Sequence, residues 1–597
     1  MKMVTLDIEG FRDYQQKRIE PYLLGLYDGE TFTYYKGSFC IRDFINKELT
    51  KKNRGTTYYV HYGSIFDFNL LLEELNKKEY RIYPISQGSK IIKMKITDSG
   101  DRNWYVQDTS SLLSFGLDAL TKAFDVQHKK IEIIKKDNNY DHNLYMLYKK
   151  KPDQVLEYLK HDCMGLYEVL SSFKNIIENL NGKMGLTIAS TAMRSFKNGY
   201  CKDFPKMEYR SINDEMRQAY FGGRTEIFRM HAKELIDDYY YYYDINSLYP
   251  YVMMHNEFPC SRPTIMRYPS KQDIFENVGI TKAKITIPGS EYLPCIPSKI
   301  KSGYNKKLMF TVGISCGYLD NSILKMGYEQ GYTIEPIKSF FFRSSDLFSD
   351  YVKTFYDIKK RQKNGTPMYL IAKLLLNSLY GKFGQRQDSE MVIKDPFPNK
   401  KKYAFKDYVD FQTGWVRVSQ EGKGKHYLPH IAIHVTALAQ LELYKTMKEI
   451  YDKGYHLYYC DTDSITTDYR NLPVSDRIGD WKLEKRLLSG EFILPKTYHT
   501  VNDDHVEEMR VKGYNKTLRE KIDKNAFRNA IIDDDYEGFT VESDNDQLLR
   551  LRDSYNRFRS FNRLDTIRKS IKTRYNKRKI LANLDTRPFD IKEIANI

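Results

Sequence analysis

Three acidic residues have types and spacings that could hold metal ions. Asp461 and Asp463 are separated by one residue in HLYYCDTDSITTDY, a segment typical of two strands around a tight turn. In an extended chain this spacing places both carboxylates on one face. Asp244 ends another predicted strand, YYYYYD, and could close the same site. Paired divalent ions held by carboxylates stabilise the charge of phosphoryl transfer, so these acids predict that chemistry.

A second acidic set lies earlier in the chain. Asp7 and Glu9 share one face of the strand MVTLDIEGF, and Asp67 follows an apolar stretch. Tyr158 and Asp162 are one helical turn apart. Four carboxylates and a tyrosine can hold two metal ions and orient an attacking water. Each pair alone is common on solvated strands and helices, but the ordered set predicts hydrolysis of a phosphodiester.

One predicted helix carries polar residues on a single face. Lys373, Asn377, Tyr380 and Gly381 in KLLLNSLYG fall at positions i, i+4, i+7 and i+8. A lysine on this face can meet a triphosphate, and Gly381 allows a base pair to approach the backbone closely. The helix therefore predicts a nucleotide contact.

The elements that position these residues require several domains. With 597 residues, the chain is too long for one hydrophobic core. A net charge of +17 favours a polyanionic partner. No apolar run is long enough for a membrane span, so no membrane partner is expected. The seven cysteines lack zinc-site spacing and argue for a reducing compartment without structural disulfides.

In their order, the motifs resemble those of family B DNA polymerases, most closely the protein-primed branch of small tailed phages and linear plasmids. DINSLYP at 244–250, KLLLNSLYG at 373–381 and YCDTDS at 459–464 match the palm and fingers motifs of that branch. Segments ending at Glu9, Asp67 and Asp162 match its exonuclease motifs. The resemblance implies an α/β multidomain fold: an RNase H-like exonuclease domain and a right-hand polymerase domain (palm, fingers, thumb) with two insertions.

For the polymerase site, the resemblance implies that Asp244 and Asp463 hold the metal ions and that Asp461 assists. It implies that Tyr249 stacks under the incoming sugar and excludes a ribose 2′-hydroxyl. The remaining nucleotide contacts that it implies are Lys373 and Arg361 on the triphosphate, and Asn377 and Tyr380 on the nascent pair. The implied DNA contacts are the K-x-Y element on the primer terminus, Lys496 and Tyr498, and the Y-x-G-G loop on the template, Tyr220, Gly222 and Gly223.

For the exonuclease site, the resemblance implies that the four early carboxylates hold metal ions and that Tyr158 completes the catalytic set. It also implies a single-strand contact at Ser111 and Leu112. A lysine near the scissile phosphate is assigned to Lys136, with Lys135 as its rival. One departure concerns strand binding rather than hydrolysis: the asparagine expected before Asp67 is missing, because Tyr62 or Gly63 stands there.

The resemblance divides the chain into regions with defined bounds. They are the exonuclease domain at 1–190, the first part of the palm at 191–260, an insertion that docks a terminal protein at 261–345, fingers and palm at 346–385, a β-hairpin insertion at 386–428, the second part of the palm at 429–512 and the thumb at 513–597. A basic set in the thumb could grip duplex phosphates: Arg552, Arg557, Arg559, Arg563, Arg568, Lys569, Lys572, Arg574, Lys577, Arg578 and Lys579.

The expected partners are a DNA template and primer strand, deoxynucleoside triphosphates, and a separate terminal protein that primes replication of a linear genome. Two Mg²⁺ ions are expected in each active site, with Mn²⁺ as an alternative, and the enzyme is expected to be a monomer. The expected location is the host cytoplasm of a phage, with a mitochondrial linear plasmid as the other source.

Three other functions stay open on the sequence alone. A family B polymerase primed by nucleic acid would share every motif, but would transfer no nucleotide to a protein. A catalytically silent DNA-binding protein would not need both carboxylate sets. A reverse transcriptase would usually carry a Y-x-D-D turn in place of YCDTDS.

Overall fold

The computed structural model describes residues 2–87, 90–134, 139–201, 203–205, 210–233, 238–302, 305–385, 389–410, 412–420, 426–532, 538–571 and 575–594. Helices pack on two large sheets, one mixed and one antiparallel, which confirms the predicted α/β multidomain class. In the described part of the chain, no helix is both long and apolar enough to cross a bilayer.

The N-terminal domain is built on a mixed sheet. Its strands are β1 Met3–Asp13, β2 Arg18–Tyr27, β3 Phe32–Lys36, β4 Thr57–Val60, β5 Arg81–Gln87, β6 Lys90–Thr97 and β7 Asn103–Asp108. Its helices are α1 Cys40–Glu48, α2 Asp67–Asn76, α3 Leu117–Ala123, α4 Tyr140–Lys150, α5 Pro152–Asn179 and α6 Ile188–Ser195. β4 pairs in parallel with β1 and β7, and the remaining pairs are antiparallel. The apolar stripe of α5 covers β1 and β2, and Pro152 occupies its first turn as predicted.

The next region begins a second sheet and then leaves it for the first insertion. Its elements are α7 Arg210–Met216, β8 Thr225–Ile227, β9 His231–Ala232, β10 Tyr240–Ile245 and α8 Leu248–His255. The insertion comprises β11 Phe258–Pro259, β12 Thr264–Arg267, α9 Lys271–Glu276, β13 Val278–Ile287, β14 Pro297–Ser302, β15 Asn305–Phe310, β16 Gly313–Asp320, α10 Asn321–Glu329, β17 Thr333–Phe342 and β18 Ser344–Ser345. Antiparallel pairing of β11 with β18 closes the insertion at its base.

Two antiparallel helices precede the second insertion. The helices are α11 Ser349–Arg361 and α12 Pro367–Ser378, followed by the short α13 Tyr380–Phe383. The insertion contains β19 Ser389–Lys394, β20 Ala404–Asp410 and β21 Trp415–Gln420. The predicted hairpin is present as β20 and β21, but β19 adds a third strand that pairs with β21. β19 also pairs with β5 at Lys394 and Ile82, so the insertion extends the sheet of the N-terminal domain.

The second sheet is completed by strands that follow a long buried helix. The elements are α14 Pro429–Asp452, β22 Leu457–Asp461, β23 Ser464–Thr467, β24 Trp481–Leu494, β25 Thr497–Asn502 and β26 Glu507–Arg510. The strand order β26-β25-β24-β10-β23-β22-β8 places β10 at the centre. Because α14 is apolar on nearly every side, it lies inside the core between this sheet and the first insertion.

The C-terminal region packs against both of the large sheets. Its elements are α15 Lys516–Glu520, α16 Lys524–Ile532, β27 Phe539–Glu542, β28 Gln547–Leu548, α17 Leu551–Phe558, β29 Leu564–Asp565, β30 Arg568–Ile571, β31 Lys579–Ile580, β32 Thr586–Arg587 and α18 Ile591–Ile594. The α17 part packs on the N-terminal domain. The final part returns to the second sheet and the first insertion, where Thr586 N–H donates to Phe228 O and Val312 N–H donates to Phe589 O. The predicted thumb at 513–597 is therefore not one unit.

Two predictions about these regions are wrong. The boundary at residue 190 falls inside α6, which begins at a Thr187–Ser190 capping box and shares a hydrophobic core with α12. The predicted phosphate grip by Arg578 is excluded by burial, since its side chain is fully buried near Glu226 and donates to Tyr292 O. Lys572 and Arg574 of the same basic set lie outside the described residues.

Candidate active sites

The three acids of the second sheet meet at one end of its central strands. Asp244 on β10 lies opposite Ser464 of β23 and Lys482 of β24. The turn between β22 and β23 carries Asp461 and Asp463, and Asp463 N–H donates to Asp461 O at 2.7 Å. Ile245 N–H donates to Asp463 O at 2.8 Å, which ties β10 to the turn. The predicted convergence of these acids is what the structure shows.

Electrostatics at this sheet end favour a bound cation. Burial and the charge of Asp463 raise the pKa of Asp244 to about 7. Burial and the charge of Asp461 raise the pKa of Asp463 to about 6. Glu484 on β24 also raises the pKa of Asp244, whereas Lys482 lowers it. Neither residue was predicted from the sequence, because strand alternation alone does not show that β24 pairs with β10.

The K-x-Y element borders the same turn. Lys496 has a φ of 61° in the tight connection between β24 and β25, and its Nζ lies 3.4 Å from Asp461 Oδ2. Its backbone N–H donates to the Tyr459 hydroxyl at 2.9 Å. The Tyr498 ring lies 5.8 Å from that of Tyr459. A cation and an aromatic ring therefore stand beside the acidic turn.

The Y-x-G-G loop packs against the opposite side of the turn. Thr462 N–H donates to Arg224 O at 2.7 Å, directly after the loop. A Cβ on Gly223 would lie 2.5 Å from Thr462 Oγ1. Gly222 O accepts a hydrogen bond from Gln440 of α14, and Tyr220 packs beneath the Arg217 guanidinium at 5.3 Å. The loop is thus held in place by α14 and the acidic turn.

An aromatic pair and two lysines lie on the helices beside these acids. Tyr249 on α8 stacks on Tyr380 with ring centroids 4.3 Å apart. Lys373 and Asn377 are exposed on the same face of α12, whose other face is buried. Lys359 on α11 donates to Ser247 Oγ at 3.3 Å, and burial with the nearby charge of Lys373 lowers its pKa.

Lys359 is a site residue that sequence reasoning missed. The prediction for this helix was Arg361, which is an exposed residue at the end of α11. Lys359, two positions earlier, is the one whose side chain reaches Ser247 in the DINSLYP motif. The sequence does carry a signal for a cation at this position, because α11 ends in three basic residues, Lys359, Lys360 and Arg361.

The early acids also meet in one buried cluster. Burial and the charge of Asp162 raise the pKa of Asp7 to about 7. Burial and the charge of Asp7 raise the pKa of Glu9 and of Asp67 well above their usual range. Tyr158 is buried beside these acids, and the Tyr140 hydroxyl donates to the Tyr158 hydroxyl at 3.3 Å.

The lysine of this second site is Lys130 in the described part of the chain. Its Nζ donates to the Tyr158 hydroxyl at 3.0 Å and forms an ion pair with Asp162. The predicted Lys136 and its rival Lys135 lie outside the described residues. Lys130 was not predicted, because it belongs to a connection with no recognisable pattern.

The residues predicted to bear on strand binding differ in their exposure. Leu112 is only 1% exposed and its side chain belongs to the core, whereas Ser111 is partly exposed. At Gly63 a Cβ would lie 2.6 Å from Val60 Cγ2, which explains why no asparagine fits there. Tyr62, with a φ of 58°, is 47% exposed beside it.

The donor sets fit divalent metal ions. Asp67 Oδ1 is buried and has no hydrogen-bond partner, so this oxygen is available to bind a metal ion. Among the described residues, no group of three acid, His or Cys side chains already forms a closed ligand set. Mg²⁺ does not need one, since it keeps several waters and takes one or two carboxylates.

Comparison with known proteins gives the same family at the level of sequence and fold. Residues 138–468 match the family model described as DNA polymerase type B, organellar and viral. A probable DNA polymerase of Ascobolus immersus is 26% identical over 88% of this chain and 48% of its own length. The DNA-directed DNA polymerase of Enterobacteria phage PRD1 is 26% identical over 81% of this chain and 80% of its own length. The chain spans about half the length of the fungal relatives that it matches.

A solved structure covers nearly the whole fold. Phi29 DNA polymerase complexed with primer-template DNA and incoming nucleotide substrates matches with a TM-score of 0.73 at 19% identity, over 96% of this chain and 99% of that one. The predicted multidomain fold is therefore confirmed. With the matched family model and the two carboxylate centres, the chain belongs to the organellar and viral family of type B DNA polymerases.

Proposed function

We propose that the chain is a DNA-directed DNA polymerase with a separate 3′–5′ exonuclease site. The proposal rests on one observation: Asp244, Asp461 and Asp463 lie together beside the stacked rings of Tyr249 and Tyr380. An acidic centre beside an aromatic pair and two lysines suits a nucleoside triphosphate. The fold of the chain and its family support the same activity.

In the polymerase site, Asp244 and Asp463 would hold two divalent ions, Mg²⁺ or Mn²⁺, with Asp461 beside them. When bound, the ions would neutralise triphosphate charge and favour ionisation of the primer 3′-hydroxyl. Lys373 and Lys359 bind the triphosphate. The Tyr249 ring supports the incoming sugar and leaves no space for a 2′-hydroxyl.

The polymerase-site neighbours position the two DNA strands. Lys496 and Tyr498 hold the primer terminus, since both lie beside the acidic turn. Tyr220, Gly222 and Gly223 support the template, because this loop is fixed against Thr462 on the other side. Asn377 lies with Lys373 on the exposed face of α12 and lines the nascent pair, together with Tyr380.

In the exonuclease site, Asp7, Glu9, Asp67 and Asp162 would hold the metal ions. The bound ions would supply charge neutralisation at the scissile phosphate. Tyr158 orients the attacking water, and Lys130 holds the Tyr158 hydroxyl and the Asp162 carboxylate in place. Ser111 contacts the single strand that enters the site.

The primer that we propose is a hydroxyl group of a separate terminal protein, docked by the first insertion, with the polymerase acting as a monomer. The second insertion supports processivity and strand displacement, because it is an extended structure attached to the N-terminal sheet. Both a phage in a bacterial cytoplasm and a mitochondrial linear plasmid fit the proposal. Incubation with neighbouring gene products and a labelled deoxynucleotide tests it, since a nucleic-acid-primed enzyme would label no protein.

Primer extension tests the polymerase assignment directly. The chain should extend a labelled primer on a template in Mg²⁺, and Asp463→Ala should abolish extension while trimming of single strands persists. Normal extension by Asp463→Ala would reject the assignment of the polymerase centre. Failure of the unsubstituted chain to extend any primed template would reject the function itself.

A further inference from the structure

Helix α2 connects the exonuclease acids with two distant regions of the chain. It is ten residues long, beginning at Asp67, one of the four acids of the cluster, and ending at Asn76. A helix of this length spans about 15 Å. Residues from the second insertion bind its last turn, and residues from the C-terminal region bind its side.

Lys394, the last residue of β19, caps the C-terminal end of α2. Its Nζ lies 3.4 Å from Leu75 O, 2.9 Å from Asn76 O and 2.6 Å from Lys78 O. Carbonyls at a helix C-terminus have no partner within the helix, and a cation there interacts favourably with the helix dipole. Lys394 is only 7% exposed, so this contact is part of the packed interior rather than a surface ion contact.

A second contact from the insertion strengthens the cap. The Trp415 indole Nε1 donates to Asn76 Oδ1 at 2.8 Å. The Trp415 ring also packs against Tyr555 and Phe561 of the C-terminal region. The end of α2 is therefore fixed by a lysine and an aromatic residue that both arrive from the second insertion.

The C-terminal region holds α2 from the side. The Glu73 carboxylate accepts hydrogen bonds from Phe561 N–H at 2.8 Å and from Ser560 Oγ at 3.2 Å. Asn69 Nδ2 donates to Leu549 O at 3.0 Å. Both contacts lie within two turns of Asp67, so a shift of the C-terminal region would move the helix that carries this acid.

We propose that α2 is a strut through which the second insertion and the C-terminal region position Asp67, and that Lys394 is a positioning residue for the exonuclease reaction. The inference rests on the proposed exonuclease function of the acidic cluster. Because α2 is a short rigid rod, loss of its cap displaces the acid at its other end. A displacement of about 1 Å at a catalytic group can cost about 100-fold in rate.

The test compares Lys394→Met with Lys394→Arg, which keeps a cation able to donate to the carbonyls. The matched control is Lys406→Met, which removes a lysine from the exposed strand β20 of the same insertion. For each protein we would measure trimming of a single strand, extension of a primed single strand, the Mg²⁺ concentration for half-maximal trimming, and Tm.

Lys394→Met should slow trimming by about ten-fold or more and raise the Mg²⁺ requirement, whereas extension changes by less than about two-fold. Lys394→Arg should restore most of the trimming, and Lys406→Met should behave as the unsubstituted chain. Trimming by Lys394→Met at the original rate would overturn the proposal, as would parallel loss of trimming and extension. Failure of the unsubstituted chain to trim would instead reject the exonuclease function.

Glu73→Ala provides an independent test in case Lys394→Met fails to fold. It removes the contact from the C-terminal region while leaving the lysine cap intact. Slower trimming with a raised Mg²⁺ requirement supports the strut. Trimming at the original rate by a folded Glu73→Ala protein overturns it.

Discussion

Gly223 packs directly on Thr462, the residue between the two acids of the turn that joins β22 and β23. A methyl group at Gly223 would lie 2.5 Å from Thr462 Oγ1 and 2.8 Å from its Cβ. We predict that Gly223→Ala displaces the turn and slows primer extension by about ten-fold or more, because overpacking costs about 1–3 kcal/mol. Single-strand trimming should remain, since the other site is distant in the fold.

A second substitution distinguishes this clash from a general loss of stability. Thr462 has a φ of 65°, a region that glycine adopts readily, so Thr462→Gly removes the opposing side chain without strain. The double variant should recover extension. Gly289→Ala, where an added methyl group meets nothing, is the control. Full extension by Gly223→Ala alone would show that the turn tolerates displacement.

Replacing the acids of the N-terminal domain should separate the two proposed activities. Asp7→Ala with Glu9→Ala removes two carboxylates from the buried cluster, and we predict loss of trimming by at least about 1,000-fold with unchanged extension. A radiolabelled single strand and a primed template, assayed with the same preparation, measure both rates. Residual trimming at the original rate would mean that this cluster is not the hydrolytic centre.

Divalent ions should stabilise the chain, and more so at higher pH. The pKa of Asp244 is raised above its unfolded value to about 7, so its contribution to stability is present below pH 4 and is lost as pH rises through 7. A cation that binds the ionised acids offsets this loss. At 100 times Kd, one bound ion adds about 2.7 kcal/mol. Tm should therefore rise when EDTA is replaced by Mg²⁺ at pH 8, and rise less in Asp244→Asn with Asp463→Asn.

A buried histidine should make the chain sensitive to acid. His430 at the start of α14 is fully buried, stacks on Phe342 at 4.9 Å, and has no hydrogen-bond partner on either ring nitrogen. Burial lowers its pKa to about 3. This depressed pKa gives full stability above the unfolded pKa near 6.5 and progressive loss as pH falls towards 3. The loss at pH 5 should be about 2 kcal/mol, measured by urea unfolding, and His430→Phe should reduce it.

Among the basic C-terminal residues, buried ones should contribute to stability and exposed ones to DNA binding. Arg578 is buried beside Glu226, and its guanidinium packs over Phe228 at 4.8 Å. We predict that Arg578→Met lowers stability by about 3 kcal/mol, because it leaves buried charge less well paired. It should not change the salt dependence of DNA binding. Arg552 and Arg568 are exposed, so replacing either with Ala should make the affinity for DNA less dependent on salt concentration.

Predictions from the spacing of residues agreed with the structure where the residues belong to one helix or one hairpin. The spacing of Asp461 and Asp463 places both acids at one hairpin turn, and the spacing of Lys373 and Asn377 places both on one helix face. Pro152 likewise begins α5. In these cases, the periodicity of the strand or helix alone determines on which face of the element each side chain lies.

Contacts between distant segments were not predicted from the sequence. Lys130 reaches Asp162 from a connection without periodicity, and Leu112 is buried by α5 and α6, which lie far along the chain. Arg578 has the charge of a surface residue, but Glu226 and the Tyr292 carbonyl make its burial possible. Such long-range compensation leaves no local signal in a single sequence.

The pairing of β19 with β5 has a consequence for synthesis of the chain on the ribosome. β5 ends at Gln87 and pairs at once with β6, but its neighbour on the other side, β19, begins only at Ser389. At 5–20 residues per second, the about 300 intervening residues take roughly 15–60 s to translate. During that interval the nascent N-terminal domain presents an unpaired strand edge, which is a site for aggregation or for chaperone binding.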